Sequence, residues 1–271
     1  EMLALGVPNH LVGAIKLPHA DTYAQVRWGP NGELSDKIPT KRGVRQGCVF
    51  APTLFSLYLN RVSEYLMKCV HDCPEIGGLK TPILLFADES LLISKTQIGL
   101  QNLIDQFVNF CYLKGLELNT NKTKCMVFRG QKRRPFSFTP KGNTLDCVNH
   151  IDYLGIRLQN NLQWGEQINK STMVIKQRSG AIIRHHQNTS SRAVTSALEV
   201  YTFQAQSGAL YGAELWGNSN CYQLVVAENH FLKLLLKVPT STPTIALLWD
   251  LNFKSIDLIL KLRPLMYWVR L

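Results

Sequence analysis

The sequence has no run of about eighteen uncharged apolar residues, so it contains no obvious membrane-spanning helix and no membrane partner is predicted. Acidic residues are scarce: 19 Asp and Glu stand against 30 Lys and Arg, which gives a formal net charge of +11. Internal repeats and low-complexity segments are also missing, which excludes solenoid and fibrous classes. With a hydrophobic fraction of 45%, the chain is predicted to form ordinary globular units.

The positive charge is concentrated in one stretch of the chain. Between Asn121 and Arg192 there are thirteen Lys and Arg against three Asp and Glu, so the net charge of this stretch is +10. Such a composition is expected of a surface that faces phosphates, although a solvated basic face with no partner has the same composition. The sequence therefore favours a polyanionic partner without saying which one.

The seven cysteines are odd in number and scattered, and most stand among apolar residues. This usage favours a reduced, intracellular location. Cys69, His71 and Cys73 are close together, but a structural zinc site needs four ligands and no second pair stands at a suitable spacing. A zinc site is therefore not predicted.

Hydrophobic periodicity predicts an α+β fold with an all-helical second part. A short helix follows Pro8, and Thr96 is a candidate N-cap for another. Hairpins are predicted over residues 23–39 and 82–94, a long helix buried nearly all round over residues 52–69, and short strands around residues 116–118, 124–128 and 153–158. Helices are predicted over residues 164–185, 191–211, 221–238, 242–251 and 255–271. The boundary between the two parts is placed near residue 158.

The second hairpin carries an acidic pair, Asp88-Glu89, where its two apolar runs join. Carboxylates at the tip of a hairpin are held rigidly where solvent and ligands meet. Mg²⁺ is bound by one or two carboxylates plus substrate phosphates, and polymerases use two such ions. Taken alone, the pair has a plainer interpretation, because Asp is a favoured turn residue.

Several further segments accompany the acidic pair in a fixed order. They are Arg45-Gln46-Gly47 and Pro52-Thr53-Leu54-Phe55 before it, and Gly115-Leu116-Glu117-Leu118-Asn119, Lys122-Thr123-Lys124, Tyr153-Leu154-Gly155 and Tyr211-Gly212-Ala213-Glu214-Leu215-Trp216 after it. In this order the segments resemble the reverse transcriptase family, specifically its non-LTR (LINE-type) branch. The resemblance extends over nearly the whole chain.

The resemblance implies a partial polymerase palm over residues 1–158, built as an antiparallel sheet with packed helices, and a helical thumb region over residues 159–271. It implies RNA-directed DNA polymerase chemistry with Mg²⁺ on an RNA template and a DNA primer, or binding of an RNA–DNA duplex. No protein partner is predicted. The expected location is intracellular, and the nucleus is the expectation for the family.

The resemblance also assigns roles to individual residues. Asp88 matches the metal-binding aspartate of the family, and Glu89 stands where its catalytic partner is expected. The residues matched to nucleotide and template are Arg45, Gln46, Gly47, Lys122 and Lys124, and those matched to the strand that grips the primer end are Tyr153, Leu154 and Gly155. The plainer alternatives are an ordinary turn for the first three, a solvated strand end for the lysines and palm-to-thumb packing for the last three.

The sequence departs from the family pattern in two respects. The family has a further catalytic aspartate on a strand before the helix that ends near Leu17; this chain is expected to begin after that strand, and neither Asp21 nor Asp36 is a convincing substitute. Glu89 replaces an aspartate, which displaces the carboxylate at a site where Mg²⁺ demands near-ideal octahedral geometry. Ala51 replaces a serine, a milder change.

The chain alone is therefore predicted to be catalytically incomplete. Two alternatives to an enzyme fragment remain open at this point: a nucleic-acid-binding module without chemistry, and an element remnant with no selected role.

Overall fold

The computed structural model describes residues 2–20, 22–40, 43–45, 47–69, 72–128, 137–188 and 194–270. Asp21, Gln46 and His71, all named above, lie outside the described residues. The chain divides into two compact units, the first formed by Glu1–Thr123 with Phe136–Leu145 and the second by Lys124–Pro135 with Asp146–Leu271. The regular secondary structure of the described residues consists of helices and small, mostly antiparallel sheets, so the α+β class is confirmed.

The first unit opens with a helix and a hairpin, as predicted. Helix α1 (Asn9–Lys16) begins directly after Pro8. Strand β1 (Tyr23–Ala24) pairs antiparallel with β4 (Ile38–Pro39), and β2 (Arg27–Trp28) pairs antiparallel with β3 (Glu33–Leu34). Gly29 and Gly32, on either side of the tip, have φ angles of 72° and 70°, which a glycine adopts without steric cost.

The prediction of one long helix over residues 52–69 is wrong. Two helices occupy the segment, α2 (Ala51–Leu59) and α3 (Val62–Cys69), separated at residues 60–61 by an asparagine and an arginine. The asparagine side chain competes for backbone hydrogen bonds and so disfavours a helix interior. The predicted all-round burial is also wrong. Leu59, Val62 and Leu66, at positions i, i+3 and i+7, are buried, whereas Met67 is 41% exposed. Only one face of the two helices packs against the core of the unit.

Opposite this stripe stands α4 (Gln97–Leu113), which contributes Leu103, Phe107, Phe110 and Cys111 to the same core. Its predicted cap is confirmed: Thr96 Oγ1 accepts a hydrogen bond from the backbone N–H of Gly99 at 3.1 Å. Two hairpins precede α4, one formed by β5 (Glu75–Ile76) and β6 (Leu79–Lys80), the other by β7 (Ile83–Phe86) and β8 (Glu89–Leu92). The strand predicted over residues 116–118 is not formed.

The second unit begins with short strands and continues in helices. Strand β9 (Lys124–Cys125) pairs in parallel with β10 (Asp146–Cys147), and β11 (His150–Tyr153) pairs antiparallel with β12 (Ile156–Gln159). The strand predicted over residues 153–158 is therefore wrong in one respect, because residues 154 and 155 form a turn. The strand predicted over residues 124–128 is shorter than expected.

Four of the five helices predicted in this unit are confirmed over the described residues. The one predicted over residues 191–211 is interrupted by a π-helical turn, and its first three residues lie outside the described residues. The helices are α5 (Gly165–Asn188), α6 (Val194–Val200), a π-helical turn (Tyr201–Gln206), α7 (Ser207–Ala209), α8 (Ala213–Trp216), α9 (Tyr222–Leu236), α10 (Thr244–Asp250) and α11 (Ile256–Arg270). Their core includes Ile175, Trp216, Leu224 and Leu232, each fully buried. Within the described residues, no helix is both long and apolar enough to cross a bilayer.

A buried carboxylate lies in this helical core. Glu228 of α9 is fully buried, and its Oε1 accepts hydrogen bonds from Tyr201 Oη and Gln206 Nε2, both at 3.2 Å. Its Oε2 accepts the backbone N–H of Ile256, the first residue of α11, at 2.7 Å. Burial raises the pKa of Glu228 to about 7, although the three hydrogen bonds act in the opposite direction. This side chain therefore joins α9, the π-helical turn and α11.

Candidate functional site

The acidic turn is displaced by one residue from its predicted position. Phe86 pairs with Glu89, so the two-residue turn is Ala87-Asp88, and Glu89 is the first residue of β8. At the base of this hairpin Ile83 is buried and pairs with Leu92, which packs against the core of the first unit. Both carboxylates are exposed. The hairpin is thus anchored at one end and presents its acidic residues to solvent at the other.

Ala87 adopts a backbone conformation that favours glycine. Its φ angle is +50°, in the left-handed region, where an L-residue other than glycine is strained by roughly 1–2 kcal/mol. Two-residue hairpins need a positive φ at the first turn position, because this geometry matches the twist of the strands. The local strain is therefore a consequence of joining β7 to β8 through two residues.

The Arg-Gln-Gly segment lies just before α2. Arg45 and Gly47 are exposed, and the backbone carbonyl of Arg45 accepts a hydrogen bond from the N–H of Cys48 at 3.1 Å. Gly47 has a φ of +78°, and nothing described lies within 4 Å of the position that a Cβ would occupy there. Glycine is therefore required at this position for its backbone angle, not for close packing.

Lys122 follows a turn organised by Asn119. The side-chain oxygen of Asn119 accepts a hydrogen bond from the backbone N–H of Lys122 at 3.2 Å. The backbone carbonyl of Asn119 accepts one from the Thr123 hydroxyl at 2.8 Å. This is the local reason for the spacing of the Asn-x-x-Lys-Thr motif, since asparagine commonly hydrogen-bonds the backbone a few residues on. Lys122 belongs to the first unit, whereas Lys124 belongs to the second. Both lysines are exposed.

The described residues predicted for catalysis and nucleotide binding are all exposed. Within the described ranges, no hydrogen bond or ion pair is made by the side chains of Arg45, Asp88, Glu89, Lys122 and Lys124. The same ranges contain no group of three or more His, Cys, Asp or Glu side chains arranged to hold a metal ion. The assignment of Asp88 and Glu89 as metal ligands therefore stays a prediction from the sequence.

The Tyr-Leu-Gly segment forms the tip of the hairpin between β11 and β12. Tyr153 pairs with Ile156, so Leu154 and Gly155 are the two turn residues, with φ angles of +47° and +81°. Positive φ at both central positions is the signature of the type I′ turn favoured in two-residue hairpins. Gly155 meets that requirement without strain, whereas Leu154 does not.

A network of charges surrounds this turn. Asp152 pairs across the hairpin with Arg157, whose Nε and Nη2 donate to the two carboxylate oxygens at 3.1 and 2.8 Å. Lys170 Nζ of α5 lies 3.1 Å from Asp152 Oδ1, and Glu166 Oε2 lies 3.9 Å from Arg157 Nη1. The hydrogen bond from Arg157, assisted by Lys170, lowers the pKa of Asp152 to about 2. Asp152 therefore stays ionised over the physiological range.

The Tyr-Gly-Ala-Glu-Leu-Trp segment packs against the same hairpin. Gly212 has a φ of +69°, and a Cβ placed there would lie 2.5 Å from Ile156 Cδ1. The fully buried Trp216 donates its indole N–H to the carbonyl of Tyr211 at 3.2 Å. Two segments that are far apart in sequence thus meet in one contact.

Sequence reasoning did not identify Lys170 or Glu228. A cross-strand pair at Asp152 and Arg157 could have been found from the hairpin spacing, because opposite charges facing each other stabilise antiparallel strands. Lys170 was counted among the residues of the basic stretch, with no signal that distinguishes it from its neighbours. The buried position of Glu228 could not be read from the periodicity of α9, in which it follows an alanine within an otherwise ordinary amphipathic pattern.

Comparison with known proteins adds a family assignment. Residues 4–158 match the family model described as "Reverse transcriptase (RNA-dependent DNA polymerase)". Over 122 residues the chain is 34% identical to a "Retrovirus-related Pol polyprotein from type-1 retrotransposable element R2" of Popillia japonica, covering 44% of this chain and 16% of that protein. Over 133 residues it is 30% identical to a "Retrovirus-related Pol polyprotein from type-2 retrotransposable element R2DM" of Drosophila melanogaster, covering 48% of this chain and 12% of that protein. The chain matches a small part of each of these relatives.

Proposed function

This chain belongs to the reverse transcriptase family and carries a reverse transcriptase domain of a non-LTR retrotransposon, and from that premise we propose that it takes part in copying RNA into DNA. The proposal rests on the acidic hairpin. Asp88 stands at the tip of two strands whose base is buried, so its backbone is held by the hairpin and its exposed carboxylate is open to a ligand.

The architecture proposed for this function is a polymerase palm over residues 1–158 and a thumb over residues 159–271. The small sheets and helices of the first part and the series of helices from α5 to α11 support the assignment. The hairpin of β11 and β12 lies at the end of the proposed palm and packs on α5 within one compact unit. We place it at the junction between palm and thumb for that reason.

Enzymes of this family generally use a divalent metal ion, and the residues of the acidic hairpin suit Mg²⁺. This ion is bound in polymerases by one or two carboxylates, with phosphate oxygens of the substrate completing its shell. Asp88 supplies one carboxylate and the adjacent Glu89 a second. The bound ion would neutralise the charge that develops on the phosphates during nucleotide transfer. Glu89 has a longer side chain than aspartate, and we expect weaker metal binding as a result.

Enzymes of this family act on nucleic-acid templates, and we propose an RNA template with a DNA primer. Arg45 and Gly47 are assigned to the template and the incoming nucleotide, because one is an exposed guanidinium and the other leaves space at the backbone. Lys122 and Lys124 are assigned to phosphate contacts, where an ammonium acts as a point charge. The turn formed by residues 153–155 is assigned to the end of the primer.

The metal assignment is tested by Mn²⁺ binding to the full chain in the presence of template and primer, measured from the loss of the free-ion signal in electron paramagnetic resonance. Asp88→Asn removes one charge without changing shape and is expected to abolish the primer-dependent binding. Glu89→Asp is expected to strengthen it, because the shorter side chain suits octahedral geometry better.

Asp36→Asn is the matched control, since Asp36 is an exposed aspartate of another hairpin in the same unit. Equal loss of Mn²⁺ binding in the Asp36 and Asp88 variants would indicate diffuse charge attraction and overturn the assignment. Primer extension on the RNA template, run on the same samples, tests the predicted catalytic incompleteness of the chain. Nucleotide incorporation that requires Asp88 would contradict that prediction while supporting the metal site.

A further inference from the structure

Lys170 makes two specific contacts to the Tyr-Leu-Gly hairpin. Its Nζ donates a hydrogen bond to the carbonyl oxygen of Gly155 at 2.9 Å and another to Asp152 Oδ1 at 3.1 Å. The first contact is to the backbone of the turn itself, and the second is to the strand that leads into it. A single side chain of α5 therefore fixes the turn relative to the helix.

Tyr211 provides a second contact to the same turn. A Cβ placed at Gly155 would lie 3.2 Å from Tyr211 Cε1, so the tyrosine ring stands close to the glycine backbone. The position of Tyr211 is itself fixed, because its carbonyl accepts the indole N–H of Trp216, while Arg263 donates to the neighbouring carbonyl of Leu210 at 2.7 Å. The ring is otherwise 55% exposed and contributes little to the core.

The turn is strained where these contacts hold it. Leu154 has a φ of +47°, a conformation that is strained for a residue other than glycine and persists where the surroundings impose it. The backbone angles of Leu154 and Gly155 follow from the two-residue hairpin. Lys170 and Tyr211 then determine where the tip of that hairpin lies. Two side chains from outside the hairpin thus converge on its tip.

We propose that Lys170 and Tyr211 are positioning residues that hold the Leu154-Gly155 turn against the 3′ end of the primer. The inference rests on the proposed function of this turn as the primer contact. The ammonium of Lys170 is already paired with Asp152, so its role is to fix the turn and not to attract phosphates at long range. Lys170 is thereby distinguished from the other cations of the basic stretch.

The test uses the full chain with an RNA template and a DNA primer that carries 2-aminopurine as its 3′-terminal base, beside a second primer with the same base at an internal position. Binding is expected to change the fluorescence of the terminal probe more than that of the internal probe. In Lys170→Met the terminal signal is expected to be lost while duplex affinity is retained. Lys170→Arg, which keeps a donor of the same charge, is expected to keep part of the signal.

Lys176→Met is the matched control, because Lys176 is an exposed lysine of the same helix and makes no hydrogen bond or ion pair within the described part of the chain. If Lys176 faces phosphates, its loss lowers the salt dependence of binding by about one unit of slope and leaves the terminal signal intact. Tyr211→Ala removes a largely exposed ring and is expected to lose the terminal signal without unfolding the chain, which thermal unfolding followed by circular dichroism checks.

The outcomes separate the inference from the proposal beneath it. A wild-type chain that binds the duplex with equal responses from the two probes does not contact the primer end, and both the assignment of the turn and the inference then fail. A terminal signal that survives in Lys170→Met and in Tyr211→Ala overturns the inference alone. Loss of duplex affinity to the same degree in Lys170→Met and Lys176→Met also overturns it, because Lys170 would then act through its charge.

Discussion

Replacing the half-buried Gly212 by alanine adds a single methyl group, yet we expect it to lower the stability of the helical unit strongly. The added Cβ would lie 2.5 Å from Ile156 Cδ1 and 3.0 Å from Cγ1, far inside normal contact distance. The glycine also has a φ of +69°, which alanine adopts with strain. Two independent penalties therefore act on the same substitution.

The magnitude follows from adding these penalties. The left-handed backbone costs alanine roughly 1–2 kcal/mol, and insertion of a methyl group into a filled contact costs roughly 1–3 kcal/mol. The lower entropy of alanine in the unfolded chain returns about 0.4–1 kcal/mol. The free energy of unfolding is expected to fall by about 2–4 kcal/mol. Part of this loss should be recovered in a double variant with Ile156→Val, which removes Cδ1, and the coupling is expected to be about 1 kcal/mol.

Urea unfolding followed by tryptophan fluorescence measures these changes. Four of the five tryptophans report on the helical unit, namely Trp164, Trp216, Trp249 and Trp268. Gly180→Ala is the matched control, because Gly180 lies inside α5 and an added Cβ would meet Arg184 Nη1 at an ordinary 3.8 Å. That control is expected to raise stability by up to about 1 kcal/mol. Similar midpoints for the two alanine variants would refute the reasoning.

Three further predictions concern other parts of the structure. Because burial raises the pKa of Glu228 to about 7, its stabilising contribution is complete below the unfolded pKa and is lost as the pH rises through 7. The difference in melting temperature between wild type and Glu228→Gln should therefore decrease as the pH rises from about 5 to about 8. A difference that does not change with pH would contradict the raised pKa of Glu228. Ala87→Gly relieves the left-handed strain of the acidic turn and should raise the urea midpoint by the equivalent of about 0.5–1 kcal/mol; a lower midpoint would show that Ala87 is not strained. Thr96→Ala removes the cap of α4 and should lower stability by about 1 kcal/mol in the same assay, whereas Thr96→Ser should retain most of it.

The elements that could be predicted from sequence are those with a local cause. The long amphipathic helices α5 and α9 have a sustained helical period, and α4 has a capping threonine. The prediction of these three helices therefore needs no knowledge of residues that are distant in sequence. The family was identified from short motifs in a fixed order. The structure supplies physical reasons for two of them, in the Asn119 turn and in the Gly212 contact.

The parts that were mispredicted depend on context. The acidic turn shifted by one residue because the pairing of Phe86 with Glu89 requires a positive φ at Ala87, and alanine gives no signal of that conformation. The helix over residues 52–69 was interrupted at an asparagine that periodicity alone does not mark as a break. Apolar composition suggested all-round burial, whereas burial depends on how much core surface the rest of the unit provides.

The basic stretch shows a similar limit. A count of charges treats every lysine and arginine as available to phosphates. Arg157 and Lys170 instead neutralise Asp152, and Arg178 donates to the carbonyl of Gln204. These three cations contribute to the net charge of the stretch but are engaged within the chain. The number of cations left to contact phosphates is therefore smaller than the thirteen in the stretch.

The π-helical turn at Tyr201–Gln206 has a consequence for insertions and deletions. Residues i and i+5 of an α-helix point about 140° apart, whereas the wider π-helical turn brings them to the same side. This is why Tyr201 and Gln206, five positions apart, both donate to the carboxylate of Glu228. Deleting one residue between them would restore ordinary α-helical spacing and bring different side chains to that carboxylate. The length of this segment is thus as constrained as its composition, and a single lost codon here would be more damaging than most substitutions.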